Sequence, residues 1–561
     1  DVLGSRGLGD VYKRQVYGDV MLNFNYNIRR FDIAATLGWT GRYENMNNMR
    51  VSTNGGLVTE NWFDLNASRY TASSILQRME LLKTGYMGTL SLGWDNYLFL
   101  ELTGRQERSS TLKDKSFFYP SANLSFLFSN AFRMPAWWNH GKLRLSYGIV
   151  GNAPETYAAN IIYEQGSDNG FTWNYVPSSW GNANIRPEKK YEYEIGLESK
   201  FLNNRLGFDV SYYNNRVKDQ ILSTPQPSSS GVKYVLMNVG EVANEGWDIS
   251  VSATPVLTKN FRWDLTANYG IYHNKVVKLA EGVPYLEISN IGGGGAKIQA
   301  VEGRPMGDIY VQMPQMNENG DYLVSDKGLY LNQTDLQRVG NINPDGVGGL
   351  FSSFSYKNIF LDFSIDFRIG GDVINEMYQY STASGLTPES LQYRDTEHGG
   401  LSYYYPGNNN ASGTPVQVDP SSGAGPNGEI IYHDGIILPG VVASTGEKNT
   451  RIIPAGYYYN QTYNWGTQSE QLTYRHSVFD NTYVKLRELT IGYQFPEKLT
   501  AKLGMTRLSV SIFGRNLFYF YKALKNYDAE SSVGTSWASQ AVVGGSTTAT
   551  RNFGVSLRAS F

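Results

Sequence analysis

LDFSIDFRI, residues 361–369, alternates without a break: Leu361, Phe363, Ile365, Phe367 and Ile369 lie on one face, Asp362, Ser364, Asp366 and Arg368 on the other. Side chains on a strand point to opposite sides at successive residues, so this period of two predicts a β-strand with one apolar face and one charged face. The same reading extends in both directions. Leu143, Leu145, Tyr147 and Ile149 oppose Arg144, Ser146 and Gly148; Tyr191, Tyr193, Ile195 and Leu197 oppose Glu192, Glu194, Gly196, Glu198 and Lys200. Leu206, Phe208, Val210 and Tyr212 oppose Arg205, Gly207, Asp209 and Ser211, and Phe261, Trp263, Leu265, Ala267, Tyr269 and Ile271 oppose Arg262, Asp264, Thr266, Asn268 and Gly270. The chain closes on Phe553, Val555, Leu557, Ala559 and Phe561 set against Asn552, Gly554, Ser556, Arg558 and Ser560.

A half-buried soluble sheet alternates as well. Here the polar faces carry both signs of charge along nearly the whole strand, which a wet or plugged lumen tolerates and a sandwich core does not. The strands are also about ten residues long, enough to cross a bilayer at a tilt. About fifteen are expected, near 18–28, 30–41, 80–94, 96–107, 117–129, 141–150, 190–201, 204–215, 237–254, 260–273, 348–357, 359–370, 481–495, 506–517 and 552–561. Their joins alternate, without a break, between short turns and long loops at about 42–79, 151–189, 274–347, 371–480 and 518–551. Short turns on one side and long loops on the other define an all-β fold, a transmembrane antiparallel β-barrel with long extracellular loops. An odd strand count leaves open edges in lipid, so further N-terminal strands are expected to be absent from this chain. Along YVKLRELTIGYQF (483–495) the parity slips near Arg487, as a bulge or a membrane interface would cause.

Composition narrows the function. A net charge of −2 over 561 residues offers no basic excess for nucleic acid. The absence of cysteine excludes disulfides and thiolate metal sites. No run of apolar residues is long enough for a membrane helix. Tyrosine is abundant, 41 residues against 25 phenylalanines, and suits membrane interfaces and sugar-facing surfaces. The chain begins at Asp1 without a signal peptide. Residues 1–15 (DVLGSRGLGDVYKRQ) lack alternation and read as a non-native or disordered leader, with the barrel portion over 16–561.

Several stretches resemble the SusC/RagA family of TonB-dependent outer-membrane transporters of the Bacteroidetes. They include LRLSYGIVGNA (143–153), NANIRPEKKYEYEIGLESKFLNNRLGFDVSYYNNRVKDQIL (182–222), NVGEVANEGWDISV (238–251) and GNINPDGVGGLFSSFSYKNIFLDFSIDFRIGGDVIN (340–375). Toward the end, NTYVKLRELTIGYQFP (481–496), FGRNLF (513–518) and the closing RNFGVSLRASF with its terminal Phe561 resemble it again. The resemblance implies a 22-stranded barrel of which this chain supplies the last fifteen or so, with the plug and the TonB-contacting segment missing. It further implies import of an oligosaccharide or an oligopeptide, a SusD-like surface lipoprotein over the mouth, and energy from the TonB complex. The lumen wall of such an importer would include Arg144, Glu194, Asp264, Asp366 and Arg558. Rival readings are a passive or adhesive outer-membrane barrel, and a soluble carbohydrate-binding or carbohydrate-cleaving all-β protein.

Candidate ligand-binding residues are the loop aromatics Trp173, Tyr175 and Trp180; Tyr403, Tyr404 and Tyr405; and Tyr457, Tyr458 and Tyr459. Flat rings stack on sugars or peptide side chains, and binding residues favour loops. The alternative is that they pack loop against loop or against a lid protein. Glu192, Glu194 and Glu198 have carboxylate spacing near that of a glycosidase but project from a barrel wall, where plug or water is the expected neighbour. His140, His273, His398, His433 and His476 are scattered over turns and loops and contain no H-E-x-x-H. Gln315 to Gly320 with Asp326 is a polar turn rather than a calcium loop, and Gly292 to Gly295 a flexible loop rather than a phosphate cradle. No catalytic, cofactor-binding or metal-ligating residue is assigned, and the chain is not expected to be an enzyme.

Overall fold

Cross-strand pairing turns the alternation into a wall. In the computed structural model Leu361 pairs with Ile491, Ile491 with Ile512, and Ile512 with Val555, so one apolar row crosses four neighbouring strands. Ile491, Ile512 and Val555 are 54%, 65% and 70% exposed, with no protein over them. In a barrel that face meets hydrocarbon. The described residues are 7–113, 116–168, 170–409, 413–463, 473–545 and 549–561.

Fifteen strands form one antiparallel sheet in chain order. They are β1 (Gly7–Ile28), β2 (Phe31–Leu57), β3 (Ser68–Trp94), β4 (Leu98–Ser109), β5 (Ser116–Phe126), β6 (Trp138–Asn152), β7 (Glu188–Phe201) and β8 (Leu206–Lys218). The others are β9 (Glu241–Leu257), β10 (Phe261–Lys278), β11 (Gly346–Tyr356), β12 (Ile359–Ile369), β13 (Tyr483–Gln494), β14 (Arg507–Lys522) and β15 (Asn552–Ser560). Each expected strand is present. The chain divides into two units, residues 1–247 with 277–283, and residues 248–276 with 284–561.

In the first unit, tight turns reverse the wall at residues that tolerate a left-handed backbone. Asp95 and Asn96, with φ of 51° and 58°, join β3 to β4, and Leu202 to Asn204 join β7 to β8. Beside these turns runs a chain of ring contacts. Phe31 meets Trp94, Trp94 meets Tyr97, Tyr97 meets Phe126, and Trp138 and Trp137 meet Phe201, at centroid separations of 5.3–6.3 Å. Such a belt suits a membrane–water interface, where an amphipathic ring spans apolar and wet layers.

Two expectations about this unit are corrected. Gly7–Gln15, read as a leader, belongs to β1 and pairs with residues 44–52 of β2; residues 1–6 lie outside the described residues. The expected loop at 42–79 is mostly strand, because β2 and β3 stay paired as far as Ser52 and Ser73. Polar cross-strand contacts hold this extension: Lys13–Glu44 at 3.0 Å, Asn45–Glu80 at 3.0 Å and Asn48–Gln77 at 3.4 Å. Apolar residues such as Met49, Ile75 and Leu76 are scattered among the polar ones without a period of two, so no alternation marks the strand. The alternation of joins also breaks once. The connection 110–115 is shorter than 127–137 on the turn side, which contains a short helix, Phe128–Ala131.

In the second unit the parity slip falls where it was expected. On β13, Glu488 pairs with Ser364 and Leu486 with Ile365, leaving Arg487 as an extra residue. On the other side Leu486 pairs with Phe518 and Glu488 with Arg515. A bulge re-aims one side chain without changing which face is buried, and Arg487 therefore turns to the polar face beside Glu488.

The long loops of this unit have their own architecture. A four-stranded sheet, Tyr285–Ile291, Ala296–Val301, Asp308–Val311 and Gln337–Asn341, lies within 279–345. Helices Glu376–Ala383 and Ala455–Tyr463 and a sheet built on Leu401–Tyr404 lie within 370–482. One core buries Ile298, Ile309 and Val311 of the four-stranded sheet with Ile374, Tyr474 and Val542, while Tyr403, Tyr405 and Ile452, and Ala455, Tyr459 and Tyr463, form separate cores. Segments far apart in sequence thus share one apolar interior, and the loops are held by burial.

Candidate functional site

The polar face of the wall carries charge in paired form. Arg144 on β6 donates to both carboxylate oxygens of Asp209 on β8, at 2.5 and 3.1 Å, and lies 3.6 Å from Glu198. Glu198 also lies within 3.4 Å of Lys200 and 3.7 Å of His140, and Glu192 is 2.5 Å from Lys190. The three carboxylates of β7 thus stand among ion pairs or on the wall, and Glu194 sits opposite Ser146 and Tyr213. Asp264 accepts from Arg262 at 2.5 Å and from Thr254 at 2.7 Å. Arg558 lines a recess of about 600 Å³ with Arg507, Arg515, Glu488, Asp362 and a ladder of serines. Charges on a wet wall can stay ionised at little cost, whereas in lipid each would be expensive.

The bulge builds the densest polar cluster. Arg487 Nε donates to Asp366 at 3.0 Å, and its two terminal nitrogens donate to Glu530 at 2.6 and 2.8 Å. Lys485, 2% exposed, reaches the same Glu530 carboxylate at 2.5 Å and lies 4.7 Å from the centroid of the Tyr519 ring. Tyr519 donates to Asp528 at 3.0 Å, and Asn481 donates to the Ala529 carbonyl at 3.0 Å. Residues 528–530 are thereby fastened to the wall. Burial pushes the Glu530 carboxyl up, but the hydrogen bonds from Arg487 and Lys485 outweigh it and hold the group below the ordinary carboxylate range. The parity slip was visible in the sequence; its consequence was not, since Glu530 lies far along the chain.

The aromatic candidates separate by exposure. Trp173 and Tyr175 lie on a hairpin strand, Phe171–Tyr175, and are 47% and 44% exposed; Trp180 makes an edge contact with Tyr163 at 5.7 Å. Tyr403 and Tyr405 are buried against Ile452, Tyr403 stacked on Tyr432 and Tyr405 edge-on to it, and Tyr404 is half-buried. Tyr459 is buried and donates to the Glu389 carbonyl at 2.8 Å; Tyr458 packs beside it and Tyr457 is exposed. Tyr403, Tyr405 and Tyr459 hold loops in place, while Trp173, Tyr175 and Tyr457 remain accessible.

Two smaller readings also change. Gly292 is packed, although Gly293 and Gly294 face open space: a Cβ on Gly292 would collide with the buried Tyr474 hydroxyl, and φ there is +58°. Gly292→Ala is therefore expected to cost about 1–3 kcal/mol, read as a lower melting temperature of the loop core or faster amide exchange there. Three histidines lie on strands: His140 and His273 on the wall and His433 on Tyr432–Ile436. The Gln315–Gly320 segment is a polar turn, in which Asn317 accepts from the amides of Asn319 and Asp321.

His476 carries a pH expectation. Its Nε2 accepts from Arg475 at 2.7 Å and its ring stacks on Tyr463 at 5.7 Å. The ring keeps an exposed side, but loss of solvent where it stacks on Tyr463, with the Arg475 charge beside it, pushes the imidazole down to about 4. A folded pKa below the unfolded one means the unfolded chain binds more protons between the two values. Loop stability from this contact is thus complete above about pH 6.5 and declines as pH falls toward 4. A histidine-resolved NMR titration checks this, the expected midpoint being near 4 rather than near 6.5.

A membrane-facing apolar wall, a charged inner face and folded long loops define an outer-membrane receptor barrel. A family profile described as "TonB dependent receptor-like, beta-barrel" matches residues 3–301, and the chain belongs to that family. TonB-dependent receptor P3 of Formosa agariphila is 23% identical over 483 residues, covering 80% of this chain and 42% of the relative. TonB-dependent receptor SusC of Bacteroides thetaiotaomicron is 27% identical over 247 residues, covering 40% of this chain and 24% of the relative. The structure of the RagAB peptide transporter superposes with a TM-score of 0.72 at 18% identity, over 99% of this chain and 56% of that one. The likeness is thus to TonB-dependent receptors of the SusC/RagA type, which are not enzymes, and an outer-membrane location follows from the family. The chain spans less than half the length of the curated relatives it matches.

Proposed function

We propose that this chain forms wall and extracellular loops of a TonB-dependent importer that carries an oligosaccharide or an oligopeptide across the outer membrane. The observation that carries the reading is the folded loop assembly fastened to a charged inner wall through Arg487 and Glu530. Loops with their own core can present a shaped surface to cargo, which loose loops cannot do without a large ordering cost. The polar wall beneath, with its ion pairs and serines, offers a hydrated surface along which a polar ligand loses little solvation. A SusD-like surface lipoprotein would cover the loops, and the TonB complex would supply the energy. Among the loop aromatics, the exposure of Trp173, Tyr175 and Tyr457 supports their contact with ligand or lid.

The test is uptake by the source cell. Deleting the gene is expected to abolish uptake of a fluorescent oligosaccharide or oligopeptide, and dissipating the proton gradient that drives TonB is expected to abolish it equally. Uptake that survives loss of the gradient but not loss of the gene would instead mark a passive channel.

A further inference from the structure

The four-stranded loop sheet is two-faced. Ala296, Ile298 and Ala300 of its second strand, with Ile309 and Val311 of its third, point into the loop core. The opposite face opens on a cavity of about 580 Å³, whose lining includes Tyr285, Lys297, Gln299, Tyr310, Gln312 and Asp335. That volume is within the usual range for small-ligand sites, roughly 300–1,000 Å³.

Register places the two rings. Tyr285 pairs with Val301 and Tyr310 with Lys297, so they stand on opposite flanks of the second strand, four residues apart along it. Strand spacing and rise put their backbones roughly 16 Å apart. Gln299 lies between them. It is 5% exposed, yet its side-chain amide has no hydrogen-bond partner among the described residues. The amide opens on the cavity rather than being sealed from solvent, so its hydrogen bonds go to whatever fills the cavity, water or ligand.

The lining selects the chemistry of the occupant. Lys297 is already paired with Glu287 at 2.7 Å, and Asp335 is an exposed carboxylate, so the cavity has no strong charge of one sign. A peptide adding to a sheet needs a free edge, and the two middle strands, which carry Gln299, Lys297 and Tyr310, are paired on both sides, so strand addition is confined to the outer edges of the first and fourth strands. Recognition here falls to side chains. Glutamine amides donate and accept, as sugar hydroxyls do, and tyrosine faces take the apolar faces of pyranose rings.

We propose that this cavity is a binding subsite for a neutral oligosaccharide, with Tyr285 and Tyr310 as stacking platforms and Gln299 as the hydrogen-bonding floor. The proposal rests on the importer reading and narrows its cargo. It is tested by passing the detergent-purified receptor over an array of neutral and anionic oligosaccharides together with tetra-alanine peptide. Retention on neutral oligosaccharides is expected. Tyr285→Ala and Gln299→Leu should each weaken it about tenfold or more, since a site built to hydrogen-bond a hydroxyl loses heavily without that bond. Leu386→Ala, on an exposed loop position, should leave it unchanged. Tyr285 is exposed, so its variant should fold even if that of Gln299 does not. Absence of neutral-glycan binding, preference for the anionic glycans or the peptide, or equal binding by folded Tyr285→Ala would each overturn the subsite. Cell uptake separates the two readings. Uptake that needs the gene but ignores Tyr285→Ala keeps the importer and removes the subsite, whereas uptake that survives gene deletion removes the importer itself.

Discussion

Replacing Glu530 by alanine is expected to release the segment 523–545 from the wall and to destabilise the loop assembly by about 3 kcal/mol. Glu530 is the shared acceptor of Arg487 and Lys485. Arg487 keeps Asp366 after the change, but Lys485 is left buried without its ion pair, since Asp366, its cross-strand neighbour, is engaged by Arg487. Removing one partner of a buried pair typically costs about 3–5 kcal/mol; the lower end applies because Glu530 is partly exposed and the Tyr519 ring still faces the ammonium. Amide exchange over 523–545 reads the effect directly, with protection falling there and holding on β12. A paired change, Lys485→Met with Glu530→Met, should recover most of the loss, since it removes both charges together. Failure of the single change to alter exchange would show that the loop is held by its apolar contacts, such as Val542 against Ile374, and not by the ion cluster. The same contact has an acid limit. Because the folded carboxyl is held below its ordinary range, its contribution is present above about pH 4.3 and fades as pH falls through the depressed value.

Ile512→Arg on β14 is expected to cost about 2–4 kcal/mol in a bilayer, the amount typical of an arginine near the midplane of a barrel's lipid face. The neighbouring change Ser511→Arg should cost about 0.5 kcal/mol or less, because Ser511 lines the polar recess with Arg507 and Arg515. One residue separates the two sites, so a difference of this size reports only which face each occupies. The fraction folded in lipid vesicles under a urea titration gives both numbers. Equal costs would remove the assignment of the Leu361–Ile491–Ile512–Val555 row to lipid.

Fold and site were legible to different depths. LDFSIDFRI declares its strand and both its faces because the side-chain period is a local property: it needs no knowledge of what lies across the sheet. The same holds for all fifteen wall strands and for the slip at Arg487. Gly7–Gln15 and the far halves of β2 and β3 escaped because polar cross-strand pairs hold them, and those pairs leave no period behind. The loops lay further out of reach. Tyr403 and Tyr459 read as ring-bearing loop residues no different from Tyr175, yet they are buried and Tyr175 is not.

The sequence by itself determined a membrane-facing strand wall with a charged inner face, since alternation and strand length follow from residues adjacent in the chain. Only the tertiary structure decided which aromatics are accessible, that Arg487 fastens a distant loop through Glu530, and that Gln299 floors a cavity between two tyrosines. Each of those depends on contacts between segments tens to hundreds of residues apart, and burial is a property of the meeting of segments, not of any one of them.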